Sequence, residues 1–174
     1  MNRSRSLRAI LLAATLLAGV ASPARATFSI VARDPETGDL GVAVQSHYFS
    51  VGPIVPWAEP GVGAVATQSL VEVAYGPRGL ALMKDGAAAK DALKKLLDED
   101  KYREVRQVAM VDAHGDVAVH TGKKCIPFAG DEAGDHFTCE ANLMASDRVW
   151  PAMAAAYRSA KGDFPERLIK ALEA

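Results

Sequence analysis

Apolar residues fall at strand spacing in five stretches of the chain and at helical spacing in four. Thr27–Arg33 is rich in β-formers, and Leu40–Ser46 sets Val42 and Val44 on one face. The turn residues Asp34-Pro35-Glu36-Thr37-Gly38-Asp39 lie between, so the two runs predict a hairpin. A loop rich in Gly and Pro is expected over 51–61 and a third strand over 62–68. Tyr75-Gly76-Pro77 opens a helix, since Pro suits a first turn, and Leu80 and Met83 share its face. Gly86 interrupts, and Ala88, Ala92, Leu93, Leu96 and Leu97 form a second helical stripe. Residues 105–111 and Val117–Thr121 alternate around Ala113-His114-Gly115-Asp116, a second hairpin. Residues 122–140 read as loop. Asp147 is the expected N-cap of a helix carrying Val149, Met153 and Tyr157 at intervals of four, and Phe164-Pro165 starts a last helix with Leu168, Ile169 and Leu172.

Strands joined by tight turns pair antiparallel, which argues against a doubly wound parallel sheet. Strand pairs alternating with helix pairs predict an α+β domain of sheet layers covered by helices. No repeat, low-complexity tract or long linker divides it.

The N-terminal segment has a different character. Arg3, Arg5 and Arg8 precede an uncharged stretch over 9–24 that ends in Ser22-Pro23-Ala24-Arg25-Ala26. A basic start, a short apolar core and a small-x-small end form a secretory signal peptide. The core is too short for a membrane-spanning helix, which needs about 20 apolar residues. Ala24-Arg25-Ala26 is the best cleavage motif, ahead of cuts after Ala21 or Ala24. The expected organisation is a leader over 1–26 and one domain over 27–174, exported to the periplasm or secreted. The membrane then takes part only during export.

Loss of the leader removes four Arg, including Arg25, and no acid, so the net charge falls from −1 to −5. That excludes a nucleic-acid partner, which calls for clustered Lys and Arg. An even cysteine count in an exported chain favours a disulfide between Cys125 and Cys139. Metal binding with His136 is the rival reading, but the spacing fits no strong zinc pattern. No metal or cofactor is expected.

Cleavage after Ala26 would also create chemistry. A threonine at a free N-terminus supplies a hydroxyl nucleophile and, in its own α-amine, a general base. That amine has an unperturbed pKa of about 7.7–8.0, so a useful fraction is neutral near physiological pH. The bland alternative is that Thr27 only begins a strand, which its β-branch suits.

The stretch from Thr27 to Val44 (Thr-Phe-Ser-Ile-Val-Ala-Arg-Asp-Pro-Glu-Thr-Gly-Asp-Leu-Gly-Val-Ala-Val) resembles the opening of the DUF1028 family, whose fold resembles the N-terminal nucleophile (Ntn) hydrolases. Gly61-Val-Gly-Ala-Val-Ala-Thr-Gln-Ser, Tyr75-Gly-Pro-Arg-Gly-Leu, Arg103-Glu-Val-Arg-Gln-Val, His120-Thr-Gly and Cys125-Ile-Pro extend the resemblance in order along the chain. It implies a four-layer αββα sandwich with antiparallel sheets and Thr27 on an inner strand, and it implies no substrate. The family's members usually run past a segment like Leu172-Glu173-Ala174 into Gly-Gly-Asp-x-Arg-Gly-x-Gln-Ser and a further strand. The expectation is therefore a domain truncated at its C-terminus, or one that closes differently. Glu72-Val73 and Ala141 also depart from the family's usual Asn-Pro and Gly.

Proteasome-type enzymes lower the amine pKa with a nearby Lys, and no Lys lies between Thr27 and Lys84. Arg33, Ser46 and His47 are the nearest tuning groups, and Ser46 ends the strand expected beside Thr27. Gln68 and Ser69 follow the third strand and line a pocket in this reading. Arg78 is a carboxylate clamp and Asn142 an oxyanion donor. His114 and His120 read as turn and strand-end residues. Two functions compete. One is an amide-bond hydrolase acting through Thr27 on a small or peptide-like substrate. The other is a non-catalytic exported binding module of the same fold. Autoprocessing before Thr27 is a third route to the same terminus. A homodimer is the base-rate expectation.

Overall fold

A computed structural model describes residues 26–174. The leader expected over 1–26 lies, except for Ala26, outside the described residues. The elements in chain order are β1 (Thr27–Arg33), β2 (Leu40–Ser46), β3 (Pro56–Glu59), β4 (Gly63–Ser69), α1 (Tyr75–Lys84), α2 (Ala89–Glu99), a 3-10 turn (Arg103–Val105), β5 (Arg106–Asp112), β6 (Val117–Thr121), β7 (Gly130–Gly134), β8 (Phe137–Asn142), α3 (Val149–Ser159) and α4 (Phe164–Leu172). The strands form two antiparallel sheets, β2-β1-β8-β7 and β3-β4-β5-β6.

Strand alternation divides each sheet into two faces. On the first, Ile30, Phe137 and Cys139 pack against Met153 of α3 and Phe164 and Leu168 of α4. On the second, Val65, Val108 and Met110 meet Leu80 and Met83 of α1 and Leu93 and Leu96 of α2. The opposite faces turn toward each other through Val31, Ala64, Ala66, Ala109 and Val111. The packing order is thus helix pair, sheet, sheet, helix pair. Glycines let the helices come close. A Cβ on Gly79 of α1 would lie 2.8 Å from Met110 Cε, and one on Gly41 of β2 would lie 2.8 Å from Leu168 Cδ1.

The hairpin strands β1, β2 and β6 fall where the pattern predicts them, and the four helices begin within a residue or two of their expected starts. Three strands do not. β3 crosses the segment expected as loop, and its leading Pro56 is tolerated because β3 is a sheet edge. β7 and β8 occupy the other expected loop. Asp147 does not cap α3: the N-cap is Arg148, with no side-chain capping bond.

The expected disulfide is absent, and Cys125 and Cys139 are both free thiols. Alternation along β8 turns Cys139 outward into the core beneath α3 and α4. Cys125 Sγ donates instead to the carbonyl of Arg106, on the other sheet. Burial raises both thiols above the ordinary cysteine range. Titration with a thiol reagent under denaturing, non-reducing conditions should count two thiols per chain. In chemical denaturation, Met110→Ala should cost about 2–5 kcal/mol. Ile169→Ala, at a half-exposed site on α4, should stay near ±0.5 kcal/mol.

Candidate active site around Thr27

β1 is hydrogen-bonded on both sides, and its first residue pairs with Ser46 of β2 and Asn142 of β8. All three occupy the face turned toward the second sheet. Thr27 Oγ1 lies 2.8 Å from Ser46 Oγ, and either oxygen can donate. Ser46 Oγ also accepts from the Tyr48 amide at 3.0 Å. If Ser46 gives its proton to Thr27 Oγ1, the Thr27 hydroxyl proton stays free for a base. Just upstream, the His47 amide donates to the carbonyl of Ala26 at 3.2 Å.

Two cavities meet at this pair. The smaller, about 130 Å³, has Val51, Ile54, Val55 and Val71 among its walls and Gln68 at its base. The larger, about 400 Å³, is bounded by His47, Phe49, Ile126, Asn142 and Leu143. Thr27, Ser46, Tyr48 and Ser69 line both. Among the described residues, no Lys, Arg, Asp or Glu lines either. Ser69 and Leu143 carry φ of 70° and 59°, in the left-handed region that non-glycine residues seldom adopt. Such strain concentrates at functional sites. Ser69 Oγ is buried and meets no hydrogen-bond partner.

Behind the pair, a buried polar network joins the sheets. Ser29 follows Thr27 on the same face of β1, and its Oγ lies 2.8 Å from Gln68 Oε1 and 2.6 Å from Glu140 Oε1. Gln68 Nε2 donates to Gln107 Oε1 at 2.8 Å, and Asn142 Nδ2 donates to the same oxygen at 3.0 Å. Gln107 Nε2 lies within 2.9–3.1 Å of Thr121 Oγ1 and the carbonyls of Gly130 and Ala141. Thr121 in turn donates to Asp131.

The network has one proton too few if Glu140 is ionised. A hydroxyl donates a single hydrogen bond, yet Ser29 faces two acceptors. A neutral Glu140 resolves this: its carboxyl proton goes to Ser29 Oγ, and the Ser29 proton goes to Gln68. Glu140 is fully buried, and its Oε2 meets no donor. Burial raises its pKa well above the carboxylate range. Its bond to Ser29 opposes that shift, and the charge on Asp131 adds to it.

The structure brings Thr27, Ser46, Gln68, Ser69 and Asn142 together. One N–H of Asn142 is already committed to Gln107. Arg78 lies elsewhere, in an ion pair with Glu99 on the helical surface. Arg33 sits at the far end of β1, paired with Leu40. His47 is on the cleft wall, His114 is exposed in the β5–β6 turn, and His120 bonds the Arg103 carbonyl. Sequence reasoning missed Ser29, Gln107 and Glu140. The alternation of Thr138, Glu140 and Asn142 with Phe137, Cys139 and Ala141 was the available clue to the last of these. Among the described residues, no group of three or more His, Cys, Asp or Glu is placed to hold a metal ion. No described helix is long and apolar enough to cross a membrane.

Residues 27–174 match DUF1028, a family of unknown function, and the chain belongs to it. It is similar to the crystal structure of protein SPO2555 from Silicibacter pomeroyi, a DUF1028 protein. The two share 30% sequence identity and a TM-score of 0.81 over 85% of this chain and 66% of that one. The chain thus spans just under two thirds of that relative's length. No curated protein matches it.

Glu140 should write a signature on stability. Its unfolded carboxyl loses its proton in the ordinary range near pH 4.3, while the folded carboxyl keeps it to higher pH. Across that window the unfolded state binds fewer protons, so stability falls as pH rises and levels off above the folded pKa. Glu140→Gln should remove this decline in a comparison of denaturation midpoints across pH. Parallel curves for the two proteins would mean that Glu140 ionises normally.

Proposed function

We propose that this protein is an Ntn-type hydrolase. Removal of residues 1–26 in an export compartment leaves Thr27 as the N-terminal nucleophile, which cleaves an amide bond of a small or peptide-like substrate. The observation that carries this reading is the Thr27–Ser46 hydroxyl pair at the junction of two cavities, beside the unpartnered hydroxyl of Ser69. The helix–sheet–sheet–helix packing agrees with an Ntn sandwich.

In this reading the free α-amine of Thr27 takes the Oγ1 proton as Oγ1 bonds to the substrate carbonyl carbon. Ser46 steadies Oγ1 by donating to it. The uncommitted N–H of Asn142, on the wall of the larger cavity, serves the developing oxyanion, a role that preorganised donors fill effectively. The C–N bond breaks, and the leaving amine carries off the proton held by the α-amine. Water then adds to the acyl-enzyme, giving its proton to the α-amine. The ester C–O bond breaks, and that proton returns to Oγ1.

A non-catalytic binding module is the second reading. It is favoured by one observation: among the described residues, no Lys or Arg lines either cavity to lower the amine pKa.

Intact-mass and N-terminal analysis of the exported protein should find Thr27 first, with a free amine. β-Propiolactone should then add its mass to Thr27. Thr27→Ala should lose that label by about 10³-fold or more, and Ser46→Ala should slow it roughly tenfold. A mature chain that begins elsewhere, or full labelling of the same terminal peptide in Thr27→Ala, would leave the binding module as the surviving reading.

A further inference from the structure

The two cavities at Thr27 differ in a way that sorts the two sides of a scissile bond. The smaller has mainly aliphatic walls, formed by Val51, Ile54, Val55 and Val71. Its polar base is already engaged. Gln68 Oε1 accepts from Ser29, and Gln68 Nε2 faces Gln107 Oε1 and the carbonyl of Glu140. The pocket therefore offers no spare N–H from Gln68 and no charged side chain. An ionised group placed there would lose its hydration without gaining a partner, a severe penalty. The pocket's 130 Å³ is close to the roughly 150 Å³ of a cavity that takes up a benzene ring. A short branched alkyl group fits within that space.

The larger cavity is wider and more mixed, with His47, Asn142 and the aromatic ring of Phe49 on its walls. It has room for a bulkier group and can hydrogen-bond it. Thr27 Oγ1 stands at the boundary, so a carbonyl carbon within its reach has one substituent directed into each cavity.

Resting on the hydrolase reading above, we infer that the acyl half of the substrate carries a short, uncharged, branched aliphatic side chain that fills the pocket of Val51, Ile54, Val55 and Val71. The amine half leaves through the larger cleft. The preferred substrates are thus amides of valine-like or leucine-like acyl groups. Amides whose acyl side chain is acidic or basic are rejected by missing charge partners.

A panel of β-lactones tests this on protein whose mass confirms Thr27 as its first residue. The panel comprises the unsubstituted ring and rings bearing isopropyl, isobutyl, carboxymethyl or aminobutyl at the carbon beside the carbonyl. Attack by Oγ1 forms an ester and breaks the ring C–O bond. The released oxygen takes up the displaced proton, so the whole probe mass is added. The isopropyl and isobutyl rings should label at least tenfold faster than the charged rings. Val71→Trp alters a partly exposed residue that lines only the small pocket. It should slow the branched rings at least tenfold more than it slows the unsubstituted ring. Equal rates for branched and charged rings, faster labelling by a charged ring, or an unaltered preference in Val71→Trp would overturn the inference while the hydrolase reading stands. Failure of every ring to modify Thr27 would overturn both.

Discussion

The position of β1 governs the rest of the molecule. An edge strand would leave Thr27 with one neighbour. A central strand, laddered to β2 and β8, brings in a residue from each side. The register then decides which ones. Side chains alternate strictly between faces, so a slip of one residue would turn Thr27 and Ser29 into the helix layer and bring Phe28 and Ile30 between the sheets. The apolar contacts of Ile30 with Met153 and Leu168 and those of Val31 with Ala64 and Ala109 resist that slip from opposite sides. The hydrophobic core thus aims the polar site beside it.

The space between the sheets changes character along the strands. Near Val31, Ala64 and Val111 it is an ordinary dry interface of small and branched residues. Toward Thr27 it becomes a hydrogen-bonded layer of Ser29, Gln68, Gln107, Glu140 and Asn142. A buried polar layer is stabilising only as far as its members are satisfied, and the bonds made here fix the orientation of each amide. Gln107 Oε1 accepts twice, which requires the amides of Gln68 and Asn142 to present nitrogen to it. Glu140 must supply the proton that Ser29 lacks. The residues lining the cavities are therefore held by partners one step behind them.

Much of this was legible in the sequence. The hairpin of β1 and β2 was plain from its β-rich runs and the turn residues between them, and the helical stripes were plain because the opposite faces of the helices are solvated. β8 was hidden for the opposite reason. Its polar residues alternate with apolar ones, but both faces are buried, and a Glu and an Asn inside the molecule imitate a solvated loop. β7, made of Gly, Asp, Glu and Ala, has almost no strand propensity and exists because β8 offers it a ladder. The pairing of Thr27 with Ser46 followed from the hairpin alone. Glu140 and Gln107 could not be placed at the site without the fold, since their partners lie far away in the chain. The two cysteines misled because an even count says nothing about direction, and alternation points Cys139 away from Cys125.

The bond from the His47 amide to the Ala26 carbonyl has a consequence for any chain that begins at Thr27. In the longer chain this carbonyl is an acyl group attached to the Thr27 nitrogen, and it occupies a backbone donor on the wall of the larger cavity. Cutting after Ala26 takes that acceptor away. The event that turns an amide nitrogen into a base would also vacate a binding position beside it. On the hydrolase reading, the uncut chain would hold its own peptide where a foreign carbonyl could later sit, and the same residue would block the site both chemically and sterically.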